Sequence, residues 1–340
     1  MGGDHGIGMT VPATVAALKK YPALHVILVG QEDALRISLA KYKALSHPRI
    51  SIQHASEIVE MDELPSHALR NKKDSSMRVA INLVKEGKAQ ACVSAGNTGA
   101  LMATSRFVLK VIPGIDRPAI VYAMPGMNYE TGQQTVVHML DLGANVDCTA
   151  EHLYQFAIMG SILTSAATHN PRPRVALLNI GEEEIKGLDN IKQASKLLAA
   201  CAAVNYIGFV EANDIFRNKA DVIVCDGFIG NISLKTSEGV AQFIMYNVKS
   251  AFMKSLLTKL CGLLAAPVLL QIKEKLNVKK YNGASFLGLK GIVIKSHGGA
   301  DEEAFEAAIS RAIEAVEQDV PNLISSQVQA LLGQTDSQVG

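Results

Sequence analysis

The stretch Ala91-Cys92-Val93-Ser94-Ala95-Gly96-Asn97-Thr98-Gly99-Ala100-Leu101-Met102 sets the fold class. It opens with a short apolar run suited to a strand and closes with good helix formers. Between them lie small and polar residues, two of them glycine. A strand that turns through such a loop into a helix aims free backbone N–H groups and the positive end of the helix dipole at one spot. That spot suits a phosphate or a carboxylate, and Ser94, Gly96, Asn97, Thr98 and Gly99 are its candidate residues. Ordinary glycine turns are the competing reading.

The same grammar recurs at Asn179-Ile180-Gly181-Glu182 and at Cys225-Asp226-Gly227-Phe228-Ile229-Gly230-Asn231. Three such loops predict one cleft at the carboxyl ends of a parallel sheet, where open α/β folds bind ligands. Short apolar strands and helical stretches alternate through the first 226 residues, which predicts a mainly parallel sheet covered on both faces, a three-layer αβα arrangement. The segments 118–124 and 135–140 read as a hairpin.

The chain has 340 residues, enough for one large α/β domain with ample core. A net charge of +1 leaves no polycationic surface to attract nucleic acid. The five cysteines are scattered and form no CxxC pair, so neither zinc nor a disulfide framework is expected, and a reducing cytoplasm fits. No signal-peptide pattern precedes the first glycines, and no window offers about 20 uninterrupted apolar residues.

From Val240 to Lys280 strand signals stop. Phe252, Leu256, Leu257, Leu260 and Leu263 follow a helical stripe, and residues 249–280 carry seven lysines against one glutamate. Pro267 should break the helix. A basic amphipathic helical tip of this kind can lie on an anionic membrane surface, form a dimer interface, or pack on its own domain. The domain reading is therefore one catalytic unit over 1–327, with a helical tip inserted at 240–282 and a polar tail at 328–340.

Chemistry concentrates in the loops. Lys186, just before Gly187, would be a point charge for a phosphate or a developing oxyanion; a solvated lysine beside three glutamates is the plain alternative. In the third loop, Asp226, Gly227 and Gly230 are candidate substrate- or phosphate-binding residues, the glycines letting backbone approach a ligand closely. Asn231 would offer an amide donor there, or simply cap the helix. His297, in Ser296-His297-Gly298, is a further candidate, and His5 a lesser one. The chain lacks a GxSxG elbow, a Walker lysine motif, HExxH and GxGxxG. Chemistry without those devices calls for a substrate that is itself a nucleophile. Inorganic phosphate attacking a thioester meets that need, and the protein would hold the partners in line and stabilise the oxyanion.

Taken together, Met1-Gly2-Gly3-Asp4, Ser94 to Ala100, Asp141-Leu142-Gly143-Ala144-Asn145, Asn179-Ile180-Gly181, Lys186-Gly187, Asp226 to Asn231, Gly283, Leu287-Gly288 and Ser296-His297-Gly298 resemble the bacterial phosphate acyltransferases of phospholipid synthesis (the PlsX family). The resemblance spans nearly the whole chain. It implies a fold like that of phosphotransacetylase and the isopropylmalate dehydrogenases. It also implies transfer of an acyl group from acyl carrier protein to phosphate, with no cofactor or metal. Lys186 and Asn231 would be the catalytic residues. Further implications are a homodimer, a cytoplasmic enzyme held peripherally on the membrane, and a membrane glycerol-3-phosphate acyltransferase that consumes the product. An isopropylmalate-type NAD-dependent dehydrogenase and a non-catalytic membrane-bound scaffold for acyl carrier protein are the alternatives. Family members carry a strand of about seven residues before the Met-Gly-Gly-Asp turn, so a gap or an unpaired edge is expected beside the strand that ends at Ser94.

Overall fold

The computed structural model describes residues 1–275 and 278–336. The chain opens with α1 (Ile7–Lys20), β1 (Val26–Gly30), α2 (Glu32–Lys41) and β2 (Ile50–His54), then α3 (Pro65–Asn71), α4 (Ser76–Lys85), β3 (Ala91–Ser94) and α5 (Thr98–Leu109). The hairpin of β4 (Ala119–Met127) and β5 (Gln134–Leu140) leads into α6 (Ala150–Thr168), β6 (Arg174–Leu178), α7 (Asp189–Ala200), β7 (Asn205–Val210) and β8 (Val222–Val224). Three helices follow, α8 (Gly227–Met253), α9 (Leu256–Leu264) and α10 (Ala266–Lys275), and then β9 (Ala284–Leu287), β10 (Ile292–Lys295), α11 (Glu302–Glu317) and α12 (Val320–Asp336).

Eight strands form one sheet in the order β3-β10-β9-β4-β5-β8-β6-β7. The central strands read as unbroken apolar runs because both faces are covered. Alternate residues go to opposite sides. Val175, Leu177, Val222 and Val224 pack under Phe156 and Met159 of α6, Leu198 of α7 and Ile324 of α12. Ala176, Leu178 and Ile223 face the other way, into the core shared with Ile81 of α4 and Leu101 and Val108 of α5. Pairing is parallel at β3/β10, β5/β8, β8/β6 and β6/β7. It is antiparallel at β10/β9, β9/β4 and β4/β5, and these three reversals make β3 and β10 run opposite to β5, β8 and β6.

One side chain ties the middle of this sheet together. Asp141, directly after β5, is 0% exposed. Its carboxylate accepts from the Ile120 amide at 2.9 Å, the Ala144 amide at 3.1 Å, the Asn145 amide at 2.7 Å and Asn145 Nδ2 at 2.9 Å. Burial pushes its pKa up, against the pull of those four donors.

β1 and β2 pair in parallel as a separate two-stranded sheet. Between β1 and the outer edge of β3 lies a cavity of about 930 Å³, lined by Val26, Leu28, Met77, Cys92, Val93 and Phe305 among others. The open edge beside Ser94 is therefore present. Met1 and Gly2 line the same cavity, and burial lowers the pKa of the Met1 amino group.

Two of the domain limits drawn from sequence fall inside helices. Residue 240 lies within the unbroken α8, and α12 carries the fold past residue 328 to Asp336, with Val328 buried in the core. Residues 337–340 lie outside the described residues. Pro267 sits in the first turn of α10, where a proline needs no N–H partner, and it separates α10 from α9. Leu256, Leu257, Leu260 and Leu263 are exposed, Leu256 at 87%. Phe252 departs from that stripe: it is half-buried, and a Cβ placed on Gly262 would lie 3.0 Å from its ring.

Two stability outcomes follow from these features. Fusing a β-rich apolar segment of about six residues ahead of Met1 is expected to raise Tm by about 1–2 °C for each kcal/mol of burial gained; an unchanged melting curve would mean that the cavity is no seat for a strand. Replacing Asp141 by Ala orphans its buried donors and should cost roughly 3–5 kcal/mol, read as a lowered urea midpoint at constant slope.

Candidate active site

The third loop of the sequence reading leaves β8 and starts α8. Asp226 caps the helix, accepting from the Ile229 amide at 2.8 Å. Gly227 and Gly230 are glycines because the helix start is pressed against the loop after β5. A Cβ on Gly227 would sit 2.6 Å from the Asn145 carbonyl, and one on Gly230 would collide with the Asp141 carbonyl. The expectation that these glycines make room for a ligand is thus replaced: they make room for the 141–145 loop. That contact fixes where the next residues point. Asn231 is exposed at the start of the second turn of α8, its Cβ 3.6 Å from where a Cβ of Gly143 would be. Gly143 has φ 120°, a left-handed conformation that favours glycine. Among the described residues no hydrogen bond engages the Asn231 amide. Asp226, not Asn231, is the cap, so the capping role weighed for Asn231 does not hold.

Lys186 lies in the loop after β6. β6 and β8 are parallel neighbours, with Leu177 opposite Val224. Lys186 and Asn231 therefore leave the same end of adjacent strands. The Lys186 ammonium pairs with Glu183 Oε1 at 2.9 Å, which raises its pKa. Asn179 Nδ2 donates to the Lys186 carbonyl at 3.2 Å. Lys219 bridges Glu182 at 2.7 Å and the buried Asp214 at 2.9 Å, tying the loop down.

The Ser94–Gly99 loop behaves differently. The Asn97 side chain is fully committed. Its Oδ1 accepts from the Ala100 amide at 2.9 Å, and its Nδ2 donates to the carbonyls of Met61 at 2.9 Å, Glu63 at 2.9 Å and Glu60 at 3.3 Å. Asn97 therefore holds the 60–63 loop to the start of α5, and no donor is left for a ligand. A Cβ on Gly96 would meet Met77 at 3.1 Å and one on Gly99 would meet Pro65 at 2.9 Å, so both are packing glycines. Ser94 Oγ accepts from the Gly96 amide at 3.2 Å. Thr98 stays exposed at the helix start.

This loop also leaves the sheet in the opposite sense to the other two. The sequence reading put the three loops at the carboxyl ends of one parallel sheet; three antiparallel pairings between β10 and β5 make β3 run opposite to β6 and β8. What links the two ends is α8. His297, just beyond β10, brings Nε2 to 3.4 Å from Nζ of Lys235, one turn after Asn231 on α8. Among the described residues Lys186 pairs with Glu183, and no hydrogen bond or ion pair joins it to Asn231 or to the Ser94 loop. His5 is exposed at the surface.

Sequence reasoning missed Lys295 and Lys235. Lys295 closes the apolar strand Ile292-Val293-Ile294-Lys295 and is 8% exposed. Its ammonium donates to the carbonyls of Ala95, at 3.3 Å, and Ser296. Burial first, and Lys235 second, bring its pKa down to about 8. A lysine ending a buried strand was the available signal.

Comparison with known proteins places this geometry. A family model described as fatty acid synthesis protein matches residues 1–323. A phosphate acyltransferase of Legionella pneumophila (strain Paris) is 54% identical over 334 residues, 98% of this chain and 96% of the relative. One from Hydrogenovibrio crunogenus is 56% identical over 332 residues, again 98% and 96%. Among solved structures, a phosphotransacetylase from Streptococcus pyogenes superposes with a TM-score of 0.58 at 19% identity, covering 90% of this chain and 91% of its own. The EutD phosphotransacetylase from Staphylococcus aureus gives 0.56 at 15% identity, with the same coverage. The structural likeness establishes the fold, and the sequence likeness over nearly the full length establishes more: this chain belongs to the phosphate acyltransferase family.

Proposed function

We propose that the enzyme transfers a fatty acyl group from acyl carrier protein to inorganic phosphate, giving an acyl phosphate for phospholipid synthesis. The observation that carries this reading is the unengaged Asn231 amide, held on the sheet end from which the Lys186 loop also departs. A phosphate oxygen forms a bond to the thioester carbonyl carbon, the C–S bond breaks, and the carrier's thiolate leaves and takes up a proton. Asn231 donates to the carbonyl oxygen as it gains charge, and Lys186 neutralises the incoming phosphate after exchanging its Glu183 partner for it. The family match favours neither the dehydrogenase nor the scaffold alternative.

The long helices carry the rest of the proposal. α8 keeps Phe243 and Tyr246 exposed on a single chain, which supports a homodimer formed along this helix. The leucines of α9, flanked by Lys254 and Lys259, support peripheral seating of a cytoplasmic enzyme on an anionic membrane. A membrane glycerol-3-phosphate acyltransferase would then receive the product. Among the described residues no helix is long and apolar enough to cross a membrane. Lys279 is turned toward the body by pairing with Asp301, so it belongs to the neck of the tip.

Phosphate-dependent release of free thiol from acyl-loaded carrier protein tests the activity. Asn231→Ala should lower turnover by about 10²–10³ while the protein stays folded, since one oxyanion donor is lost. Lys186→Ala should in addition weaken saturation by phosphate. Near-normal turnover of folded Asn231→Ala enzyme would remove Asn231 from the mechanism. Leu257→Glu with Leu260→Glu should release the protein from anionic vesicles in co-sedimentation; unchanged binding would leave α9 as a protein interface.

A further inference from the structure

The contact between α8 and the loop after β10 opposes two hydrogen-bond donors. The Gly299 amide donates to His297 Nδ1 at 3.1 Å. That nitrogen must therefore carry a lone pair, and a neutral imidazole then bears its proton on Nε2. Nε2 faces the Lys235 ammonium at 3.4 Å, and an ammonium is a donor only. Neither group can accept from the other. The ring is held in this pose by its own backbone, because the His297 amide donates to Asn282 Oδ1 at 3.0 Å. Asn282 is in turn fixed by donating to Ser296 Oγ at 2.8 Å and the Ala304 carbonyl at 2.7 Å. Behind them stands the buried Lys295, whose ammonium donates to the carbonyls of Ala95 and Ser296.

We infer that Lys235 Nζ and His297 Nε2 form a seat for phosphoryl oxygens, one oxygen accepting from both. Three features fit that ligand. The seat offers two donors at a spacing that one oxyanion can bridge, with the charge of Lys295 close behind. Lys235 follows Asn231 by four residues, so both lie on one face of α8 with Cβ atoms about 6 Å apart. A phosphate held at Lys235 thus stands next to the proposed oxyanion donor. Third, burial and the neighbouring Lys235 both lower the His297 pKa, which keeps the ring in its neutral, Nε2-protonated form.

Two carboxylates limit the charge of the seat. Glu238 Oε2 pairs with Lys235 at 2.9 Å, and Asp4, whose amide donates to the Gly298 carbonyl at 3.0 Å, lies alongside. Glu238 therefore competes with a bound oxyanion for the same ammonium. The inference rests on the proposed reaction for the identity of its ligand, which is either inorganic phosphate or a phosphate group borne by the acyl donor.

The test uses inorganic phosphate and acyl-loaded carrier protein as separately varied substrates. Lys235→Gln should raise the KM for phosphate by about ten- to a hundredfold and leave the KM for the acyl donor unchanged. Glu238→Gln should lower the phosphate KM, the opposite direction, which a merely structural ion pair would not produce. A raised donor KM with an unmoved phosphate KM would assign the seat to a phosphate on the donor. In a parallel melt without any acyl donor, phosphate should raise the Tm of the wild type and not that of Lys235→Gln. If neither KM responds to Lys235→Gln and phosphate protects both proteins equally, the seat is overturned. A protein that releases no thiol at all fails the proposed reaction, while the melt still decides the seat on its own.

Discussion

The buried Asp141 carboxylate is the constraint on which the site depends. It draws together the start of β4, the turn at Ala144 and Asn145, and, through the close approach of Gly230, the first turn of α8. Catalysis by an oxyanion donor depends on placing that donor within a fraction of an ångström. Among the described residues the side chain of Asn231, the proposed donor, has no hydrogen-bond partner to position it, so its location is inherited from the helix, which is pressed against the Asp141 loop. An acid kept from water by four N–H groups is stiff, because any displacement leaves several donors unmatched at once.

The sequence revealed the elements and the loops, and misled on what some loop residues do. Alternating apolar runs gave the strands, and the pattern around Ala91 to Met102 gave a strand, a loop and a helix where they occur. Glycine and asparagine in a loop, however, carry the same letters whether they meet a ligand or another part of the chain. Asn97 spends its amide on three carbonyls of the 60–63 loop, contacts 34 to 37 residues distant in sequence. Nothing local announces them. Gly227 and Gly230 likewise answer to a loop more than 80 residues earlier, as the Cys225 thiol does in meeting the Asp141 carbonyl across a separation of 84 residues.

Strand direction was the other hidden quantity. Adjacent β/α units read as parallel by default. The β4–β5 hairpin was visible from its turn residues, yet the insertion of β9 between β10 and β4 is a matter of sheet order. Lys295 and Lys235 escaped notice for a related reason. One closes a strand whose neighbour is β3, and the other is one of several lysines on a long helix. Their relation appears only when β10 and α8 are brought together at His297.

That helix has a further consequence of scale. α8 runs for 27 residues, about 40 Å at 1.5 Å per residue, from Asn231 near one end to the leucine-bearing α9 hairpin at the other. It carries both the Asn231 end of the candidate site and the stem of the tip. A protein seated by its leucines would have its reactive end held at a set height above the lipid headgroups. A tilt of the stem would then swing the Asn231 end across the bilayer plane, as a boom swings its load. Stem length and angle, rather than any chemical group, would decide how far an acyl chain must travel from the site where it is activated to the lipid phase that solvates it.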